Sequence, residues 1–202
     1  SFVLSLGLTL AETKPPFKAL ESMNRKIIDP LSIRLFFVKD PIMLTVDGAK
    51  NMKVTLDNHP TNNLGTREVE VSTVFYISRD DANLLAEGEQ VRLMELYNIK
   101  IDRIVVEPGK NKAIIASYLN NEIFRNMKKI QWVSDKGMTK YNILIPYELY
   151  QNDKFNPRSL ESAEGLAEAF VLRLKPHTPV QFIRFGFCIT ENNKSSAIFI
   201  HR

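Results

Sequence analysis

Beyond Pro30 the apolar residues of this chain come in short runs, and Gly, Pro, Asn or Asp breaks the pattern every 8–15 residues. Runs of β-branched and aromatic residues at that spacing are the signature of short antiparallel strands, not of helices alternating with parallel strands. Candidate strands are 34–38, 42–46, 51–56, 68–77, 90–93, 97–106, 112–118, 129–133, 141–147, 165–173, 179–189 and 196–201. One stretch sustains a helical period. After Pro15-Pro16, which suit a first helical turn, Phe17, Leu20, Met23, Ile27 and Ile28 recur at three- and four-residue steps up to Pro30. A second, small helix is expected at about 79–86, with Ser78 as its N-cap and Asp80 and Asp81 in its first turn. The expectation is a mainly β chain, barrels or sandwiches, preceded by a short helical segment. The polar stretch 148–162 reads as a crossover between two barrels, and the sequence shows no internal repeat.

Composition narrows the function classes. No apolar run exceeds four residues, as in Leu35 to Val38 or Ala197 to Ile200, whereas a transmembrane helix needs about 20. A single cysteine, Cys188, excludes an internal disulfide framework, and His59, His177 and His201 are too scattered to mark a metal site. The implied compartment is reducing, hence cytoplasmic. A net charge of +4 leans mildly towards polyanions. Ser1 to Gly7 reads as the last turns of a helix that starts mid-element, so the chain is expected to be a piece of a longer protein.

No nucleophile or nucleotide-binding motif stands out. Cys188 lies in a core-like strand, Phe185-Gly186-Phe187-Cys188-Ile189, and His59 in the turn Asn58-His59-Pro60 is expected to bond locally. Lys136-Gly137-Met138-Thr139-Lys140 lacks a nucleotide-site context. Trp132, between Gln131 and Val133, reads as core, Gly186 as a close strand contact or bend, and Gln131 is given no role. Arginines and amides on strands, next to aromatic residues, form a different pattern: Arg34 before Leu35-Phe36-Phe37-Val38, Arg92 inside Val91-Arg92-Leu93, and Gln181 and Arg184 flanking Phe182 and Ile183. A guanidinium or amide projecting from a barrel strand hydrogen-bonds the edge of an unstacked base, and a neighbouring ring offers a stacking face. The alternative is that each arginine pairs with an acidic neighbour on a solvated face. Arg125, Lys128, Lys129, Lys136 and Lys140 add a local basic excess suited to phosphates or simply to solvent.

Several strings, read in order, resemble a known family: Asn24-Arg25-Lys26-Ile27-Ile28-Asp29-Pro30, Arg34-Leu35-Phe36-Phe37-Val38, His59-Pro60 with Leu64-Gly65-Thr66-Arg67, Val91-Arg92-Leu93, Lys129-Ile130-Gln131-Trp132-Val133, and Val180-Gln181-Phe182-Ile183-Arg184-Phe185-Gly186-Phe187. Nearly end to end they resemble the C-terminal part of archaeal-type glutamyl-tRNA synthetase, whose close relative is glutaminyl-tRNA synthetase. The resemblance implies two antiparallel anticodon-binding β-barrels after a helical tail at 1–33, with 34–125 and 165–202 forming one barrel region and 126–164 the distal barrel and crossover. It implies tRNA-Glu, with tRNA-Gln as a further candidate, as the partner, and no membrane. It places Arg34 and Gln181 at the middle anticodon base, Arg92 near the first and Arg184 as a supporting arginine; Lys128 and Lys129, from the basic excess, are the candidate phosphate contacts. A Lys-Arg pair that the glutaminyl enzyme carries before its Val-Arg-Leu string has no counterpart here. The catalytic strings of the class are absent, so no catalytic residue is assigned and this chain alone is expected to be inactive. ATP and magnesium would serve the whole enzyme and no cofactor is expected in this part. The rival readings are the equivalent part of a glutaminyl enzyme and a β-barrel interaction module without RNA binding.

Overall fold

The computed structural model describes residues 17–106 and 112–202; the expected helix end at Ser1 to Gly7 lies outside them. Helix α1 (Phe17–Ile28) forms as the periodicity predicts, but its apolar stripe is only lightly covered, with Leu20 and Ile27 exposed. The helix runs into a 3-10 turn, Asp29–Leu31, and the Ser32 hydroxyl donates to the Ile28 carbonyl at 2.7 Å. The chain is β-rich from there on. The first half contains β1 (Ile33–Leu35), β2 (Phe37–Lys39), β3 (Pro41–Asp47), β4 (Met52–Asp57), β5 (Thr66–Val71), β6 (Val74–Ser78), helix α2 (Arg79–Asn83), β7 (Gln90–Leu93), β8 (Asn98–Val105) and β9 (Ala113–Asn120). The second contains β10 (Lys129–Ile130), β11 (Val133–Ser134), β12 (Met138–Pro146), β13 (Tyr150–Gln151), β14 (Lys154–Phe155), β15 (Leu160–Glu168), a 3-10 turn (Ala169–Arg173), β16 (Pro179–Phe182), β17 (Gly186–Thr190) and β18 (Ser196–His201). Helix α2 is capped as expected, the Asp81 N–H donating to the Ser78 hydroxyl at 3.0 Å, though it ends at Asn83.

Among the described residues the strands form two seven-stranded sheets and two small hairpins. One sheet runs β10-β7-β8-β9-β3-β6-β11 and the other β1-β16-β17-β18-β12-β15-β2. The two orders are the same order. Each sheet holds a three-strand meander (β7-β8-β9, β16-β17-β18) whose last strand pairs in parallel with the first strand of a hairpin (β3-β6, β12-β15). Each main hairpin carries a smaller one at its tip, β4-β5 and β13-β14. Each meander carries a bulge near the start of its middle strand, at Asn98/Ile99 and at Phe187/Cys188, and the first has a further one at Ile101/Arg103. The chain is therefore a tandem structural repeat, β1 to β9 and β10 to β18.

The repeats exchange their opening strands. β1 and β2 leave their own repeat to pair with β16 and β15, while β10 and β11 return to pair with β7 and β6. This explains the fully buried run Leu35 to Val38: Leu35 and Phe37 pack in the second core and Phe36 and Val38 in the first, so both faces of the crossing strand are covered. Gly165 permits the exchange, because a Cβ there would lie 2.5 Å from the Val38 carbonyl oxygen.

This pairing departs from the sequence-based division in which 165–202 sided with 34–125. β15 and β18 hydrogen-bond with β12, and β17 and β16 follow β18 in the same sheet, while the stretch 148–162 holds the β13-β14 hairpin between β12 and β15. Residues 169–173 are a 3-10 turn, not strand, since β15 stops where Glu168 is anchored (below).

Candidate nucleic-acid interface

Arg34 and Gln181 are register partners on the parallel pair β1-β16. Side chains at paired positions point to the same face of a sheet. The Arg34 Nη1 group accordingly donates to the Gln181 Oε1, while Nη2 forms an ion pair with the Asp29 carboxylate at 2.7 Å. Asp29 is itself held in place: the imidazole Nε2 of buried His59 lies 3.1 Å from its carbonyl oxygen, and the other ring nitrogen accepts the N–H groups of Thr61 and Asn62 at 3.2 and 3.0 Å. Two accepted N–H bonds make Nδ1 the acceptor and Nε2 the donor. His59 thus bonds locally, as its turn predicted. The Arg34 guanidinium is half-buried and fixed at two corners, with its Nε lacking a partner.

The exchanged strands build a second, equivalent pair. Lys129 and Arg92 are register partners on β10-β7, at the positions that Arg34 and Gln181 occupy on β1-β16, with Ile130↔Leu93 matching Leu35↔Phe182. Here the outcome differs. Arg92 is only 9% exposed, and its guanidinium donates inward to the Leu96 carbonyl at 3.1 Å, the Asn98 amide oxygen at 3.0 Å and the Glu122 carbonyl at 3.3 Å. Lys129 is exposed, and its ammonium has no partner among the described residues. Neighbouring Lys128 is paired with Glu89 at 2.5 Å and donates to the Leu84 carbonyl at 2.9 Å.

Arg184 sits in the β16-β17 turn and reaches from one sheet to the other, pairing with Asp81 of α2 at 2.7 Å and donating to the Lys129 carbonyl. A second cross-link between the halves is one that the sequence did not reveal. Arg67 and Glu168 form a bidentate ion pair at 2.6 and 2.9 Å, with side chains only 3% and 2% exposed. The remaining groups are satisfied, since Arg67 also donates to the Asp57 carbonyl and Glu168 accepts the Phe36 N–H, both at 2.7 Å. Trp132 is fully buried, its indole N–H donating to the Met94 carbonyl at 2.9 Å, and Cys188 is buried with its thiol pushed well above its ordinary range by desolvation.

No group of three His, Cys, Asp or Glu side chains among the described residues is placed to hold a metal ion. Within the Lys136 to Lys140 stretch, a Cβ at Gly137 would meet the Glu70 carbonyl oxygen at 2.8 Å, so this glycine allows close packing against β5. No helix among the described residues is long and apolar enough to cross a membrane.

Two family models match the chain, over residues 32–119 and 129–191, and both describe the anticodon-binding domain of class I (E and Q) tRNA synthetases. The chain belongs to that family. The first matched stretch of this anticodon-binding chain takes in β1 to β9 and the second β10 to β17, so the boundary between them falls between the two structural repeats. Similar curated proteins are the glutamate–tRNA ligases of Nitrosopumilus maritimus, 38% identical over 201 residues, of Cenarchaeum symbiosum, 36% over 200, and of Pyrococcus abyssi, 34% over 209. The matches cover 100%, 99% and 99% of this chain but 34% of each relative, so the chain spans about a third of their length. Of the expected site residues, the fold brings Arg34 and Gln181 into contact, joins Arg184 to Lys129 across the sheets, and turns Arg92 inward. The anchoring roles of Asp29, Arg67 and Glu168 were missed; the only available signal was the Asp29 to Arg34 spacing, which no periodic pattern flags.

Proposed function

We propose that this chain is the anticodon-binding part of a glutamate–tRNA ligase and that its ligand is tRNA-Glu, held by a splayed anticodon across the two barrels. Arg34 and Gln181 read the middle base, Arg184 and Arg92 fix the surrounding backbone and turns, and Lys129, with Lys128 beside it, meets phosphates. The charging reaction, with its ATP and magnesium, belongs to a catalytic region that these residues do not include, to which the segment up to residue 33 connects. The compartment is the cytoplasm. Names of the relatives favour glutamate over glutamine.

The observation that carries this reading is the Arg34–Gln181 pair, in register and bonded, with Asp29 holding the guanidinium from behind. A uracil edge presents two carbonyl acceptors about one N–H donor. A guanidinium beside a carboxamide complements that edge, because the amide supplies either a donor or an acceptor once an incoming base displaces the internal bond. Preorganisation by Asp29 lowers the ordering cost of binding. Binding here promotes charging only through energy that differs between cognate and non-cognate tRNA.

The test is Arg34→Ala against tRNA-Glu transcripts carrying each of the four middle bases. Affinity for the cognate transcript falls by about 1–3 kcal/mol and discrimination among the four is relaxed. An equal loss on all four would leave a phosphate contact and refute base reading. Lys129→Ala instead weakens all four alike and flattens the salt dependence.

A further inference from the structure

The loop at the tip of the β4-β5 hairpin grips the segment that carries Arg34. β1 lies at the edge of its sheet with β16 beside it, and the Asn58 carbonyl accepts the Arg34 N–H at 2.7 Å. Two further bonds run from the same loop to the 3-10 turn in front of β1. The His59 Nε2–H donates to the Asp29 carbonyl at 3.1 Å, and the Asn62 side-chain amide donates to the Pro30 carbonyl at 2.9 Å. The loop is also closed on itself, the Asn58 N–H donating to the Gly65 carbonyl at 3.0 Å and the Asn58 amide to the Leu64 carbonyl at 3.1 Å. His59 is 5% exposed, so a ring nitrogen left unmatched there would be destabilising.

The imidazole is engaged on both sides. Its Nδ1 accepts the N–H groups of Thr61 and Asn62, so the hydrogen of the neutral ring sits on Nε2, and that nitrogen faces Asp29. The loop therefore sets the tautomer, and the tautomer holds the Asp29 backbone. The carboxylate of the same residue pairs with the Arg34 Nη2 at 2.7 Å, so fixing the carbonyl restricts where the carboxylate stands. The second repeat has no such grip. Among the described residues the β13-β14 hairpin makes hydrogen bonds only within its own arm, as from Asn156 to the Leu149 and Glu148 carbonyls, and Lys129 at the position matching Arg34 is exposed. The grip is present where a guanidinium is held in place and absent where a cation is left to solvent.

We infer that His59 is a positioning residue for base reading: its Nε2–H holds the Asp29 backbone so that the Asp29 carboxylate keeps the Arg34 guanidinium oriented for a base edge. The inference rests on the reading of Arg34 and Gln181 proposed above. A guanidinium without that anchor has to be ordered by each incoming base, which weakens the bond to the matching edge. Contacts to phosphates elsewhere do not depend on its orientation, so the loss falls on discrimination and not on binding in general.

His59→Asn and His59→Gln separate the two sides of the ring. Asparagine in a turn keeps an oxygen for the N–H groups that follow it but is too short for the Asp29 carbonyl, whereas the longer glutamine amide reaches as far as Nε2 does. Affinities are measured with tRNA-Glu transcripts carrying each of the four middle bases, and melting curves establish that the variants are folded. His59→Asn lowers the affinity for the cognate transcript by about 3- to 10-fold and leaves the other three nearly unchanged. His59→Gln discriminates closer to wild type than His59→Asn does, although it melts lower for want of the loop bonds; if it fails to fold, the asparagine variant decides through a cycle with Arg34. In that cycle, His59→Asn added to Arg34→Ala costs the cognate transcript no further affinity. Equal losses on all four bases, losses that add to those of Arg34→Ala, or a folded glutamine variant that discriminates no better than the asparagine one, overturn the positioning role and leave His59 as a residue that only closes its loop. Arg34→Ala by itself keeps the two readings apart. If it leaves all four affinities unchanged, base reading fails, whereas discrimination lost in Arg34→Ala and kept in His59→Asn sinks the assignment of His59 alone.

Discussion

Glu95 and Arg184 hold the same left-handed backbone, with φ of 58° and 62°, at the same point of the two repeats. Each is the third residue of a tight turn closed by the same bond: the Leu96 N–H donates to the Leu93 carbonyl in one, and the Phe185 N–H to the Phe182 carbonyl in the other, both at 3.0 Å. Turn and strand exchange are thus common to the repeats, and the side chains set on that frame are what differ. Arg184 crosses to Asp81 and the Lys129 carbonyl, whereas Glu95 borders a cavity at the end of the first barrel. One frame presents a cation at the junction of the barrels and an anion at the rim.

A left-handed conformation costs a non-glycine residue roughly 1–2 kcal/mol, most for β-branched side chains. Glu95→Gly therefore leaves stability within about 1 kcal/mol of wild type, relief of strain being offset by a freer unfolded chain. Glu95→Val lowers it by about 1–2 kcal/mol. Urea denaturation checks both, and equal stability of the glycine and valine variants would mean that the turn relaxes to another geometry. Arg184→Gly behaves like Glu95→Gly in stability, since its ion pair with Asp81 is partly solvated and contributes under about 1 kcal/mol.

The Arg67–Glu168 pair lies at the other extreme of burial. Glu168 touches both repeats' elements, taking two bonds from Arg67 of β5 and one from the Phe36 N–H of the exchanged segment. Removing one member strands a charge away from water, so Arg67→Met and Glu168→Leu are each expected to cost about 3–5 kcal/mol. The double variant Arg67→Met with Glu168→Leu regains part of that loss, since no charge then remains uncompensated. Denaturant titration of the three variants decides this. Additive losses would show that the pair contributes only as two separate residues.

Much of this architecture is legible in the residues. The short apolar runs gave the strands, Ser78 with Asp80 and Asp81 gave the α2 start, and the uncharged settings of Trp132 and Cys188 gave core. The repeat was not legible, because its halves share little beyond an apolar frame: Val91-Arg92-Leu93 and Val180-Gln181-Phe182 agree in where side chains point, not in what they are. Strand exchange escapes for a related reason. Which partner β1 chooses depends on residues 147 positions away, and local patterns carry no such register. Arg92 illustrates the limit at the site itself. Its three acceptors include the backbone carbonyls of Leu96 and Glu122, groups that every residue has and no sequence pattern marks. Arg34 and Gln181 differ because a side-chain amide answers the guanidinium, and side chains are what a sequence displays.

Burial also gives the fold an alkaline weakness. Desolvation raises the Cys188 thiol and the Tyr97 and Tyr141 phenols well above their ordinary values of 9.0 and 10.0. Tyr141 donates its hydroxyl to the Ser196 carbonyl at 2.8 Å, a bond that a phenolate cannot make. Each group keeps its proton in the folded chain at a pH where the unfolded chain has lost it. Their contribution is therefore fully present below the unfolded values and declines as pH rises past them. Above pH 9 the thiol removes about 1.4 kcal/mol per pH unit, and above pH 10 the two phenols each add as much. Urea midpoints measured from pH 7 to 11 are expected to fall in two stages, with Cys188→Ala losing the earlier one. The same protonation makes the native thiol inert, so labelling by a thiol reagent at pH 8 should keep pace with unfolding in urea. Rapid labelling of the folded chain would place Cys188 in a site that opens without global unfolding, and midpoints flat to pH 11 would show that the phenols ionise in place.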